Sequence, residues 1–201
     1  MTLYASTTRV KDALRITDTV DDSLILLALE AACESIDDYC GRSFGTVTET
    51  RHYAVEESCE IEVDDLASST FTLATKSTYN SGYDTTWTAA DYFLTPLNSR
   101  RGGVAWPYTE IHAIAPHFFL EADDIPTVSL TATFGWPAIP ARVVQAAVLQ
   151  AERFYKRLDS PLGVAGVSDM GIMRVGRGLD SDVQLLLDRF RRGEDAAGGI
   201  A

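Results

Sequence analysis

A proline-bounded helical repeat between Phe134 and Leu158 constrains the fold of this chain more than any other feature. The aromatic knot FGWPAIP leads into a pattern in which Val144, Ala147, Val148, Ala151, Phe154 and Leu158 recur at spacings of three and four. That spacing puts them on one helix face. Pro140 stands where a missing N–H costs nothing, because first-turn amides have no intrahelical partner. Arg153, Lys156 and Arg157 gather in the last turns, where cations offset the negative end of the helix dipole. Trp136, Pro140, Val144, Val148 and Phe154 are therefore the expected organisers of a core. Trp136, between Phe134 and Pro137, is expected to fix the angle between a strand and the helix it feeds rather than to form a ligand platform.

Upstream, Thr7 or Thr8 is placed to cap a short helix, RVKDALRI. A polar turn from Thr17 to Asp22 then leads into a second helix, with Leu24, Leu27, Ala28, Ala31 and Ile36 expected inward and Gly41 as its stop. A DNA-reading helix-turn-helix is disfavoured: the second helix carries Glu30, Glu34, Asp37 and Asp38 and no base before Arg42, so phosphate would repel it.

Between residues 46 and 134 the period changes to two, in ETRHYAV, CEIEV, STFTLATK, DYFLTP and TVSLTATF, with turn chemistry at Asn80-Ser81-Gly82 and Arg101-Gly102-Gly103. At least five antiparallel strands are expected, with Trp87 and Trp106 on exposed loops. From Asp159 to Leu179 there are five glycines, a proline and no steady period, yet also Leu162, Val164, Val167, Met170, Ile172, Met173 and Val175. A long loop without structure of its own is unusual in a compact domain, and its apolar content predicts ordering against a neighbouring molecule. Asp180 is placed to cap a last helix, SDVQLLLDRFRR, with Val183, Leu186, Leu187 and Phe190 inward.

The expected fold class is α+β: a small helical bundle (N-terminal helix hairpin, long central helix, C-terminal helix) with an antiparallel β-rich insertion. The expected segments are 1–45, the helix hairpin; 46–134, the β-rich insertion; 135–158, the central helix; and 159–201, an extended arm and C-terminal helix.

Charge limits the partners. The chain of 201 residues has a formal charge of −12, which argues against gripping nucleic acid by phosphate neutralisation. Residues 49–130 hold 13 acidic against 4 basic side chains, and residues 131–201 hold 8 against 9; the two surfaces suit different neighbours. Cys33, Cys40 and Cys59 form no CxxC pair and read as small apolar residues in a reducing compartment. No signal peptide opens the chain and no apolar run spans a bilayer, so a soluble protein made in the cytosol is expected.

No arrangement of residues reads as an active site. His52, His112 and His117 lack metal-ligand spacing. Asp64-Asp65 and Asp123-Asp124 are neighbours on strands or strand ends, without the spacing of a calcium loop. There is no GxSxG, P-loop or strand-linked GxGxxG.

The order of the pieces is more informative: VKDALRI, DDSLILLALEAACESIDDYCGRSF, a β-rich middle, TATFGWPAIPARVVQAAVLQAERFYKRLDSPLGVAG, then GIMRVGRGLDSDVQLLLDRF. This order resembles the head–tail connector (adaptor) proteins of long-tailed bacteriophages over nearly the whole chain, least in the β region. The resemblance implies a structural virion protein, not an enzyme and without a cofactor. It implies a homo-oligomeric ring, usually a dodecamer, docked under the portal protein at the neck. Such a ring extends the DNA channel and offers a platform to the next neck or tail protein. Genomic DNA would pass through without specific binding, and no membrane is involved. Matching the family's C-terminal segment makes Arg174, Arg177, Arg189, Arg191 and Arg192 candidates for a portal-facing arm, and deleting 168–201 is expected to abolish docking but leave the monomer folded. Because carboxylates repel DNA, Glu56, Glu57, Glu60 and Glu62 are candidates for lumen-facing acids. The rival readings are a stopper or tail-completion neck protein and, in another class, a small soluble hydrolase or ligand-binding domain.

Overall fold

The computed structural model describes residues 2–122, 124–158, 164–168, 171–174 and 178–193. The chain divides into two compact units: residues Met1–Gly45 with Ile139–Ala201, and residues Thr46–Ala138.

The first unit is helical. Helix α1 (Thr7–Leu14) starts where the Ser6 hydroxyl accepts from the Arg9 amide at 3.3 Å, and it ends at Arg15, which adopts φ 61°. Helix α2 (Asp22–Cys40) ends at Gly41 with φ 63°, a left-handed turn that glycine enters without a Cβ penalty. Helix α3 (Ala141–Leu158) begins at Pro140, whose carbonyl accepts from the amides of Val143 and Val144 at 2.9 and 3.1 Å. Helix α4 (Ser181–Leu187) runs into a 3₁₀ turn, Asp188–Phe190.

The core of this unit lies between α2 and α3, with α1 and α4 packed on α3. Helix α2 contributes Ile25, Ala28, Leu29, Ala32, Cys33, Ile36 and Cys40, and α3 contributes Val143, Ala146, Ala147 and Ala151. Alanines in that stripe let the helix axes approach closely. Phe44 joins the two ends of the unit, with the Tyr4 ring edge-on at 5.7 Å on one side and the Phe190 ring edge-on at 5.7 Å on the other. Strands β10 (Val164–Ser168) and β11 (Gly171–Arg174) form an antiparallel pair whose register shifts between Val164 and Val167. The shift breaks the period of two, so the sequence gives no strand signal there.

The second unit carries β1 (Val47–Tyr53), β2 (Glu60–Leu66), β3 (Thr72–Thr75), β4 (Thr85–Trp87), β5 (Tyr92–Thr95), β8 (Tyr108–Ala113) and β9 (Val128–Phe134), with a small pair, β6 (Arg100–Arg101) and β7 (Val104–Ala105), beside them. The main sheet has seven strands in the order β4-β3-β9-β2-β8-β5, and β1 also pairs with β9. Strands β1 and β9 run antiparallel in unbroken register from Val47 opposite Phe134 to Tyr53 opposite Val128.

The expectation of a small helical bundle bearing a β-rich insertion is wrong. The protein is α+β with four helices and a strand-rich antiparallel sheet, and the sheet has a core of its own: Val55, Ile61, Val63, Leu66, Leu73, Trp87, Ile111, Phe119, Val128, Leu130, Ala132 and Phe134. Alternation of polarity identifies strands one at a time. It does not say how many will pair, and seven strands sharing one apolar face make a body rather than an appendage. Trp87 and Trp106, expected on exposed loops, are buried. Trp87 stacks on Phe119 at 4.6 Å and donates to Thr75 Oγ1 at 2.9 Å.

Candidate functional site

The outward face of the sheet is where titratable groups come together. On β2, Ile61 and Val63 point into the core, so Glu60 and Glu62 point out. Register places His112 of β8 opposite Glu60 and Glu110 opposite Glu62, and β5 continues both rows with Phe93 and Thr95. His112 contacts Glu60 Oε2 through Nδ1 and Glu110 Oε2 through Nε2, both at 3.1 Å, and its ring stacks on Phe93 at 4.7 Å. One imidazole thus lies between two half-exposed carboxylates.

Thr95, His112 and Glu60 stand in the order hydroxyl, imidazole, carboxylate. The Thr95 hydroxyl, though, donates to Glu110 at 2.5 Å. Its proton is committed to a carboxylate rather than to the ring, which is a poor start for nucleophilic attack. Neither of two depressions in the surface is lined by these residues. One, of about 550 Å³, is bordered by Tyr39, Phe154, Arg157, Leu179 and Gln184. The other, of about 260 Å³, is bordered by Lys76, Trp87, His117 and Phe119. His117 pairs with Asp91 at 3.1 Å, and hydrogen bonds from the Thr88 amide and hydroxyl hold the Asp91 carboxyl below its ordinary range. Among the described residues no cluster of three or more His, Cys, Asp or Glu is arranged to hold a metal ion, and no helix is long and apolar enough to cross a membrane.

Elsewhere the polar groups brace the fold. Asp64 takes an ion pair from Arg51 at 2.7 Å and a hydrogen bond from Tyr53 at 3.2 Å, while Arg51 lies 4.1 Å over the Phe134 ring. Asp65 is buried and accepts from the Trp136 indole at 3.2 Å. In the helical unit, the Tyr4 hydroxyl donates to Asp37 and accepts from the Phe44 amide at 3.0 Å. Burial raises the Asp37 carboxyl above its ordinary range despite the hydrogen bonds from Tyr4 and Ser43.

A family model for phage gp6-like head–tail connector proteins matches residues 4–91. That span takes in α1, α2 and the first strands of the sheet. Over that span the chain is similar to the phage head–tail connector proteins. Two solved structures share its fold. One, from the neck of an empty gene transfer agent particle computed with C6 symmetry, is 17% identical with a TM-score of 0.58, over 95% of this chain and 92% of that one. The other, from the neck of a native gene transfer agent particle computed with C12 symmetry, is 19% identical with a TM-score of 0.54, over 92% of this chain and 87% of that one. No curated protein matches.

The candidate residues fall in several places on the protein. Glu56, Glu57 and Glu62 are exposed and Glu60 is half-buried against His112. Arg189 and Arg192 are exposed on the α4 turn and beyond it. Arg191 is half-buried, 5.2 Å over the Tyr39 ring, and Asp188 accepts from the Tyr39 hydroxyl at 2.6 Å. Arg174 ends β11 with its side chain outside the described residues, and Arg177 lies outside them altogether; so does Asp123. Trp136 and Pro140 are buried, whereas Val144, Val148 and Phe154 are half-buried. Trp136 packs on Trp106 at 4.9 Å, and Arg101 lies 4.8 Å over the Trp106 ring.

One feature escaped the sequence reading. Leu24 and Leu27, expected inward, face solvent, and the buried stripe runs instead through Ile25, Leu29 and Ile36. The segment LILLAL is apolar all round, so periodicity singles out no face.

Proposed function

We propose that this connector assembles as a twelve-membered ring under the portal, extends the DNA channel, and presents a docking platform to the next neck or tail protein. The observation that carries the reading is a fold likeness over nearly the whole chain to neck proteins of particles solved with sixfold and twelvefold symmetry. The role is structural rather than catalytic, in keeping with a Thr95 proton committed to Glu110.

Within that ring, Arg174, Arg177, Arg189, Arg191 and Arg192 face the portal, and Glu56, Glu57, Glu60 and Glu62 face the lumen. The acidic face of β2 and β8 supports the second assignment, since carboxylates keep DNA contacts transient. Electron microscopy of the purified connector, alone and mixed with its portal, tests the ring: twelve-fold rings on the portal are expected, and a monomer bound singly would refute it. Charge reversal of the four glutamates should slow genome ejection. An unchanged rate removes the lumen assignment.

A further inference from the structure

The helical unit has two outward helix faces that no part of the described chain covers, and they are opposite in charge. On α2, Leu24, Leu27, Ala31, Glu34 and Asp38 recur at three and four, about 150° round the helix from the buried stripe. Leu27 is 60% exposed and Leu24 42%, and Val20, in the turn before, is 82% exposed. Beyond them the same face is acidic, with Glu34 and Asp38 both exposed. On α3 the corresponding outward row is Arg142, Gln145, Leu149, Glu152 and Lys156. Leu149 is 37% exposed, and the Lys156 side chain is 64% exposed in a 2.5 Å pair with Glu152. An exposed i,i+4 pair of this kind is weak, so it yields readily to a stronger partner.

We propose that the α2 face of one connector seats against the α3 face of the next copy, and that this is a contact closing the ring; the proposal rests on the ring reading above. The spacing supports it. Glu34 follows Leu27 by seven residues, and Leu149 has Arg142 seven residues before it and Lys156 seven residues after it. Seven residues are two helical turns, about 10 Å. With Leu27 packed on Leu149, Glu34 therefore meets a base whether the helices run parallel or antiparallel. The contact is heterologous: an acidic, apolar face meets a basic, apolar one, and the same pair recurs around an axis. In parallel register two copies of the α2 face would set Glu34 and Asp38 against their own kind, and in antiparallel register centred on Leu27 each Glu34 would face Val20 rather than a base. A stable interface needs roughly 800 Å² from each partner, so the helix pair forms the core of a wider contact.

The test uses the full chain. Glu34→Lys in one protein and Arg142→Glu with Lys156→Glu in another should each lose rings by sedimentation velocity. An equimolar mixture should recover them, since every junction in an alternating, even-numbered ring is again complementary. In a Cys59→Ser background, Leu27→Cys with Leu149→Cys should give a ladder of multimers with a short bismaleimide, and Leu27→Cys alone should not. Rings that survive both charge variants and give no 27–149 cross-link would overturn this face and leave the ring standing. Cross-linking of Leu27→Cys to itself would overturn the heterologous arrangement. Wild-type connector that forms no multimer, free or in neck-bearing particles, would refute the ring and this contact together.

Discussion

Replacing Phe190 by alanine tests how the last helix is held. The ring is fully buried and meets Phe44 edge-on at 5.7 Å, and α4 also buries Val183 and Leu187. A buried Phe→Ala change costs about 3–5 kcal/mol, through lost transfer energy and the cavity left behind. With a urea slope of about 1–3 kcal/mol per M for a domain of this size, the midpoint should fall by about 2 M. The four helices all belong to the first unit and the three tryptophans to the second, so circular dichroism at 222 nm reads the change and indole fluorescence supplies a separate trace. A 222 nm midpoint within about 0.3 M of wild type would refute the packing argument. A double-mutant cycle with Phe44→Leu should return about 0.5–1.5 kcal/mol for the edge contact. By the same reckoning, deleting 168–201 strips Val183, Leu187 and Phe190 together. The loss approaches the 5–15 kcal/mol that a whole domain commands, so the truncated chain should unfold its helical unit rather than persist as a docking-defective monomer. Arginine reversals are the cleaner probe of portal contact.

Tyr4→Phe removes the donor to Asp37 and the acceptor for the Phe44 amide; chemical denaturation should show a loss of about 1–3 kcal/mol. Asp37 is raised by burial, so the folded state holds its proton more tightly than the unfolded one. Its contribution is present below the unfolded carboxyl value, near 3.9, and lost as pH rises through the folded value. Stability of Asp37→Asn relative to wild type should therefore improve between pH 4 and pH 7 in urea titrations. Iodoacetamide at neutral pH should modify Cys59 alone by intact mass, because Cys33 and Cys40 are buried and burial pushes the Cys40 thiol up to about 12. Trp87→Phe, which forfeits the bond to Thr75 Oγ1, should cost about 1–2 kcal/mol by fluorescence-monitored unfolding.

Helix starts and stops were legible wherever one residue type does one job. Gly41 ends α2 and Pro140 opens α3 for reasons written in the sequence. Which face a helix buries was less legible. The pattern on α3 found Ala147 and Ala151, but the buried stripe is turned toward Val143 and Ala146 and leaves Val144 and Val148 half-buried beside it. Strand positions followed from alternation, but pairing did not, because β3 reaches β9 and β2 reaches β8 across many intervening residues. The acidic site shows the same limit: Glu60, Glu110, His112 and Thr95 are scattered along the chain and become neighbours only through register.

The edge-on packing of Tyr4, Phe44 and Phe190 has a bearing on synthesis. A nascent chain exposes residues 46–138 early, and that sheet can close while translation continues. The helical body cannot, for its aromatic clasp waits on Phe190, which is made only after the whole of the sheet. A ribosome that stalls after the strands leaves a half-finished subunit with greasy helices, which chaperones and proteases can recognise. A check on completeness is thereby placed ahead of assembly, and only chains carried through to Phe190 can close the helical unit.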